Sequence, residues 1–266
     1  MRYVVRKVEG FPVKVPLIFF GICLSGIEPR FSTFPGEARG GFYYQNLAPV
    51  KSRISVDGVC EGAIIVDVCS GRGNLGFIVE LAQKIIRVDT IYADQSLVDR
   101  LTADSMFPEK YQYLAQSAFH LDLPPGSADV VFDAFGLNFY SRSVVFGDHY
   151  KEWADDHLNL DFGDQRSIIA YLRECSLRRK LAAQSNVVSY LRSFVLKLKT
   201  VKDGGLIIER PIDEKANAPA CKLFLYPTLD LLTQRGVIDY EIQEYMLEGG
   251  YGPIERKRLV VRKLLT

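Results

Sequence analysis

One ten-residue stretch concentrates residues able to hold a ligand: Asp67–Val68–Cys69–Ser70–Gly71–Arg72–Gly73–Asn74–Leu75–Gly76. Gly71 and Gly73 permit positive φ and let a ligand approach the backbone closely. The spacing Gly71-x-Gly73-x-x-Gly76 also satisfies the dinucleotide fingerprint. Asp67, four residues ahead of Gly71, speaks against that ligand, because a carboxylate there repels a pyrophosphate and attracts an ammonium group. A second acid, Asp94, follows the run Thr90–Ala93 with Gln95 beside it, and its two oxygens suit a pair of ribose hydroxyls. Asp133 ends the run Ala128–Ala134 and can act as a base, orient a substrate or satisfy loop amides. His149 is a further candidate base, and Phe135, Phe139 and Tyr140 are candidate pocket walls.

Other chemistries lack their residues. Cys23, Cys60, Cys69, Cys175 and Cys221 are odd in number and contain no C-x-x-C pair. Neither a disulfide framework nor a structural zinc site is expected, and a reducing, cytoplasmic setting is. His120, His149 and His157 make no metal-ligand spacing, so no metal is expected. Cys69 reads as a small packing residue, since nothing near it in sequence lowers a thiol pKa.

These residues need elements to position them. Ala63–Val68 is an apolar run suited to a strand buried on both faces. Leu75 to Lys84 has the apolar spacing of a helix, and Thr90–Ala93 reads as a second strand followed by a helix through Leu97, Val98 and Leu101. Gln112–Ala115 and Ala128–Ala134 are a third and fourth strand. A helix over 190–199 leads through Asp203–Gly204–Gly205 to a fifth strand, Leu206–Glu209, and a helix over 229–234 ends at Gly236. Two last strands, over 237–246 and 258–264, flank a glycine-rich turn and must be antiparallel. The fold class is therefore α/β: a doubly wound, mostly parallel seven-stranded sheet with an antiparallel terminal pair. Ligands of such sheets sit beyond the carboxyl ends of the strands, at the switch point.

Residues 1–60 form an N-terminal extension, a lid or an interface, and residues 61–266 form the main domain with a helical insertion at about 141–189. A connection that long is usually a binding element. The 266 residues carry 33 Lys plus Arg against 32 Asp plus Glu, which supplies no global field for nucleic acid. The apolar stretch Val15–Leu24 falls short of the roughly 20 residues that span a bilayer, and no signal peptide is expected.

From about residue 60 onward the chain resembles the class I S-adenosylmethionine (SAM)-dependent methyltransferases. Asp67 to Gly73 is similar to the family's first motif, with Cys69 in the place of its first glycine. Asp94 corresponds to the ribose acid. Ser117–Ala118, then Leu121, Leu123–Pro124 and Gly126–Asp129, resemble the adenine-contact segment, with Ser117 where most members carry Asp, Asn or Glu. Leu191–Pro211 is similar to the family's helix, Gly-Gly turn and fifth strand. The resemblance implies SAM as cofactor, held by Asp67, Cys69, Ser70, Gly71, Gly73, Asp94, Gln95, Ser117, Ala118, Asp133 and Phe135, with Asp133 and His149 as catalytic candidates. Phe135–Asn138 and the Gly-Gly turn look more like small-molecule enzymes, with an O, N or C acceptor. RNA 2′-O-methylation is the alternative: Lys51 and Asp133 match half of its Lys-Asp-Lys-Glu tetrad, but Glu209–Arg210 stand where the second lysine belongs. A non-catalytic subunit of a larger assembly and, on the glycine spacing alone, a nicotinamide oxidoreductase are the remaining readings. A homodimer through residues 1–60 is left open.

Overall fold

The computed structural model describes residues 3–16, 61–71, 81–134, 149, 153, 156–157, 165–210, 221–249 and 252–265. Seven of the described strands form one sheet. In chain order they are β3 (Ala63–Val68), β4 (Ala82–Val88), β5 (Tyr111–Leu114), β6 (Ala128–Ala134), β7 (Val201–Arg210), β8 (Ile238–Gly249) and β9 (Gly252–Lys263). Across the sheet they run β5-β4-β3-β6-β7-β9-β8, all parallel except β9, which is antiparallel to both neighbours. The chain leaves β3 toward β4 and returns to β6 on the other side, so the switch point lies between β3 and β6.

Side-chain alternation buries both faces. Val66, Val68, Val131, Ile207 and Val261 belong to the core on one face, with helices packed on it. Ile65, Ile85, Val130, Phe132, Leu206 and Ile208 belong to the core on the other. The helix spanning Leu177–Thr200 (α3) supplies Val187, Leu191, Phe194, Val195 and Leu198 to the first core. It is preceded by α1 (Gln95–Ala103) and α2 (Gln165–Glu174) and followed by α4 (Tyr226–Gln234). Within the helical insertion expected at about 141–189, α2 and α3 are separate helices that divide at Cys175–Ser176, where Ser176 caps α3 by accepting from the Arg179 amide. Gly236, at φ 66, closes α4 as expected.

β1 (Tyr3–Val8) and β2 (Phe11–Pro16) form an N-terminal hairpin turning through Glu9 and Gly10, both at positive φ (49 and 92), as a two-residue hairpin turn of the favoured twist requires. Val13 and Val15 are buried in the helix-side core, the Lys14 amide donates to Thr228 Oγ1 at 3.0 Å, and Glu9 accepts from Arg192 on α3 at 2.8 Å. Residues 17–60 lie outside the described residues.

The second strand sits elsewhere than expected. The helical reading of 75–84 gives way to β4 at Ala82, and 75–80 lie outside the described residues. Ile85, Ile86 and Val88 are β-branched and fully or nearly buried, which outweighs the helical spacing that ended in Ala82. Thr90–Ala93, read as a strand, is one 3-10 turn, because the Asp89 carboxylate accepts from the Ile91 amide and starts the turn. Asp94 therefore closes no strand. The fifth strand also begins earlier, at Val201, with Asp203–Gly204–Gly205 looped out between the pairs Ala128↔Val201 and Val130↔Leu206. No helix among the described residues is long and apolar enough to cross a membrane, which says nothing of a β-barrel.

Candidate functional site

Strand register brings the carboxyl ends of the four central strands level. Val88 pairs with Val68, Val68 with Asp133, and Asp133 with Glu209. Asp89, Cys69, Asp133 and Glu209 thus lie in a row along one edge, around the switch point. Alternation puts Asp67 and Arg87 on the face of Ile65 and Ile85, and Asp133 and Glu209 on the face of Val131 and Ile207.

The turn after β3 begins with two left-handed residues, Cys69 and Gly71, each at φ 54. Cys69 thus has the backbone of the glycine whose place it takes, at a steric cost a glycine would not carry. β4 and the turn after it hold the loop from the side. The Gly71 amide donates to Asp89 Oδ2 at 2.9 Å. Arg87 Nη2 donates to the carbonyls of Ser70 and Gly71 at 3.0 and 3.3 Å. Tyr92 donates its phenolic proton to the Gly71 carbonyl at 2.7 Å, so Ser70 Oγ, 2.6 Å away, is the donor to Tyr92.

Arg87 is buried, and its Nε stands 3.6 Å from Asp67 Oδ2. Burial works against the guanidinium charge, but Asp67 and the rings of Tyr92 and Tyr113 outweigh it and raise its pKa. Burial likewise pushes the Tyr92 phenol up, leaving it a firm donor. The Cys69 thiol is pushed well up by burial and then by the Asp133 carboxylate, so it is a neutral packing group.

On the other face, Lys197 of α3 donates to Asp133 Oδ2 at 2.5 Å and to Glu209 Oε1 at 2.7 Å, with all three side chains buried.

The expected site residues divide accordingly. Asp67, Cys69, Ser70, Gly71 and Asp133 gather at the switch point. Ser117 caps a short turn by accepting from the Phe119 amide, and the carbonyl of buried Ala118 accepts from Ser193 of α3 at 2.8 Å. Asp94 is the exposed N-cap of α1, accepting from the Ser96 amide and hydroxyl and the Leu97 amide. Gln95, next to it, donates to Asp99 along the exposed face of α1. His149 is exposed, whereas Asp133 is buried. Gly73, Phe135, Phe139, Tyr140 and Lys51 lie outside the described residues.

Four contributors escaped the sequence reading: Arg87, Asp89, Tyr92 and Lys197. Two of them had a signal. Asp89 directly follows the strand-forming stretch Ile85–Val88, and Lys197 sits among Phe194, Val195 and Leu198, where a charge on an apolar helix face demands an acid partner. Among the described residues, no group of three or more His, Cys, Asp or Glu is placed to hold a metal ion.

The strand order, with its antiparallel pair at one edge, is the mostly parallel seven-stranded sheet expected from the sequence. No protein-family model and no curated protein matches the chain. Solved structures do. A SAM-dependent methyltransferase from Methanosarcina mazei is 12% identical over 83% of this chain and 100% of that one, with a TM-score of 0.46. An rRNA methylase from Streptococcus thermophilus is 12% identical over 79% of this chain and 91% of that one, at 0.42. The O-methyltransferase TomG from Streptomyces achromogenes, solved with SAM, is 8% identical over 77% of this chain and 74% of that one, at 0.41.

Proposed function

We infer that the chain is a SAM-dependent methyltransferase acting on a small molecule. The observation that carries this reading is the paired loop and acid at the switch point: Cys69 and Gly71 in left-handed conformation, with the Gly71 amide tied to Asp89, the first residue beyond β4. Such a turn brings the loop backbone to the switch point and needs no phosphate-binding lysine. Asp89 takes over the ribose role first expected of Asp94, because only Asp89 stands in the row of strand ends. Each of its oxygens receives one amide, which leaves lone pairs for hydroxyl donors.

When bound, SAM supplies an activated methyl group on a sulfonium. The chain's part is then to orient and to exclude water, since in-line positioning supplies much of the rate. The loop of residues 69–71, Ser117 and Ala118 would hold the cofactor, and Asp133, one strand from Cys69, would meet the acceptor. The neutral Cys69 thiol lines the loop without competing as a nucleophile.

Isothermal calorimetry with SAM, S-adenosylhomocysteine and NADH tests this. Micromolar binding of both adenosyl ligands without NADH is the expected result. Binding of NADH alone would overturn the family reading, and no adenosyl binding would promote the non-catalytic subunit reading.

RNA as acceptor has one observation in its favour, the meeting of Lys197, Asp133 and Glu209, three of the residue types of the 2′-O-methylation tetrad. RNA affinity falling steeply with salt would support it.

A further inference from the structure

Asp133 and Glu209 are register partners on β6 and β7, and the ammonium of Lys197 lies between their carboxylates. Lys197 is 0% exposed and Asp133 2%. Burial alone would drive the lysine toward its neutral form, but Asp133 and then Glu209 outweigh it and hold its pKa above the ordinary lysine range. Lys197 therefore stays an ammonium and cannot take a proton from a substrate. Its charge is spent on one oxygen of each acid. The second oxygen of Asp133, Oδ1, is sealed from solvent and has no hydrogen-bond partner among the described residues. A buried carboxylate oxygen without a donor is costly, and it marks a place where a donor belongs. Register sets Asp133 opposite Val68, one residue from the left-handed Cys69, so this oxygen lies beside the loop assigned to the cofactor.

Resting on the methyltransferase reading, we propose that Lys197 and Glu209 are positioning residues that hold Asp133 by its Oδ2 and keep its Oδ1 for the proton of an N–H or O–H methyl acceptor. Transfer to such an atom forms the new C–N or C–O bond as the electron pair of the C–S bond returns to sulfur. The acceptor's proton passes to Oδ1 and is released to solvent when the products leave and open the site. Lysine acts here by its charge and never as the base, unlike a lysine that deprotonates its substrate.

The test needs no substrate. Calorimetry on the full chain compares S-adenosylhomocysteine with sinefungin, an adenosyl analogue that carries a protonated amine where SAM carries its sulfonium methyl. Sinefungin is expected to bind at least about tenfold tighter, as a charge-assisted bond to Oδ1 requires. Asp133→Asn is expected to bring the two affinities within about twofold of each other. In Lys197→Met/Glu209→Met, which removes one charge of each sign, the preference for sinefungin is expected to fall while the affinity for S-adenosylhomocysteine stays within about twofold of native. A native chain that binds the two ligands equally overturns the proposal. So does an Asp133→Asn variant that keeps the preference, and neither measurement depends on the double variant folding. Failure of the folded native chain to bind either ligand rejects the methyltransferase reading itself, and this proposal with it.

Discussion

Arg87 and Asp67 are register partners on β4 and β3, and they form an ion pair, Nε to Oδ2 at 3.6 Å, with each side chain 5% exposed. The acid that the sequence offers to a ligand's ammonium is thus already matched by a cation of the next strand. The same guanidinium reaches the carbonyls of Ser70 and Gly71. Asp67 fixes Arg87, and Arg87 fixes the loop.

Arg87→Met is expected to destabilise the chain by about 3–5 kcal/mol, because it strands a buried carboxylate and frees two loop carbonyls. Urea midpoints measure this. Adding Asp67→Asn should restore part of the loss; a double variant as unstable as the sum of the singles would show that the two residues are uncoupled.

Cys69→Gly is expected to raise stability by up to about 1 kcal/mol, the relief of left-handed strain less glycine's larger entropy loss. Cys69→Val is expected to lower it, since a β-branched residue tolerates φ 54 poorly. Thermal unfolding of the pair decides, and the order Val above Cys above Gly would contradict the conformation.

Asp89 and Asp94 separate by function. Asp89→Ala should weaken S-adenosylhomocysteine binding by about 1–3 kcal/mol through lost hydroxyl and loop contacts. Asp94→Ala should lower the melting temperature without that loss of affinity, because it removes a helix cap. The hydrogen bond from the Ser96 hydroxyl, with the Leu97 and Ser96 amides, holds the Asp94 carboxyl below its ordinary pKa. Its contribution is therefore present above the unfolded aspartate's pKa and is lost as pH falls through the lower folded value. Asp94→Asn, which still caps, should shallow the acid limb of a stability–pH curve. An unchanged limb would remove Asp94 from it.

Gly205→Ala is expected to cost about 1–3 kcal/mol. A methyl there would lie 2.6 Å from the Asp129 carbonyl oxygen and 2.8 Å from Val201 Cγ1. Gly204→Ala, at φ 81 but with nothing within 4 Å, should be strained through its backbone alone. Denaturant unfolding of the two separates crowding from strain.

The elements whose pattern is local were legible in the chain itself. Ala63–Val68 and Ala128–Ala134 are continuous apolar strands between turn residues, and they appear with those bounds. The order of elements implied a parallel sheet ending in an antiparallel pair, and the glycine turn pointed to the end of its first strand. The reading failed most at the second strand, and also at the start of the fifth strand and at the division of the insertion helix. Ala82–Val88 carries both a helical and a β-branched pattern, and only pairing with β3 and β5 decides between them. That single shift moved the strand-end acid from Asp94 to Asp89.

Partner choice was beyond the sequence for a different reason. Asp67 meets Arg87, and Asp133 meets both Lys197 and Glu209, across 20, 64 and 76 positions of chain. No spacing rule links residues so far apart; strand register and the seating of α3 do. Residue type determined which groups could carry charge or accept a proton. Burial and register determined which charges cancel and which oxygen is left for a substrate, because a charge removed from water must find its partner within the same few ångströms.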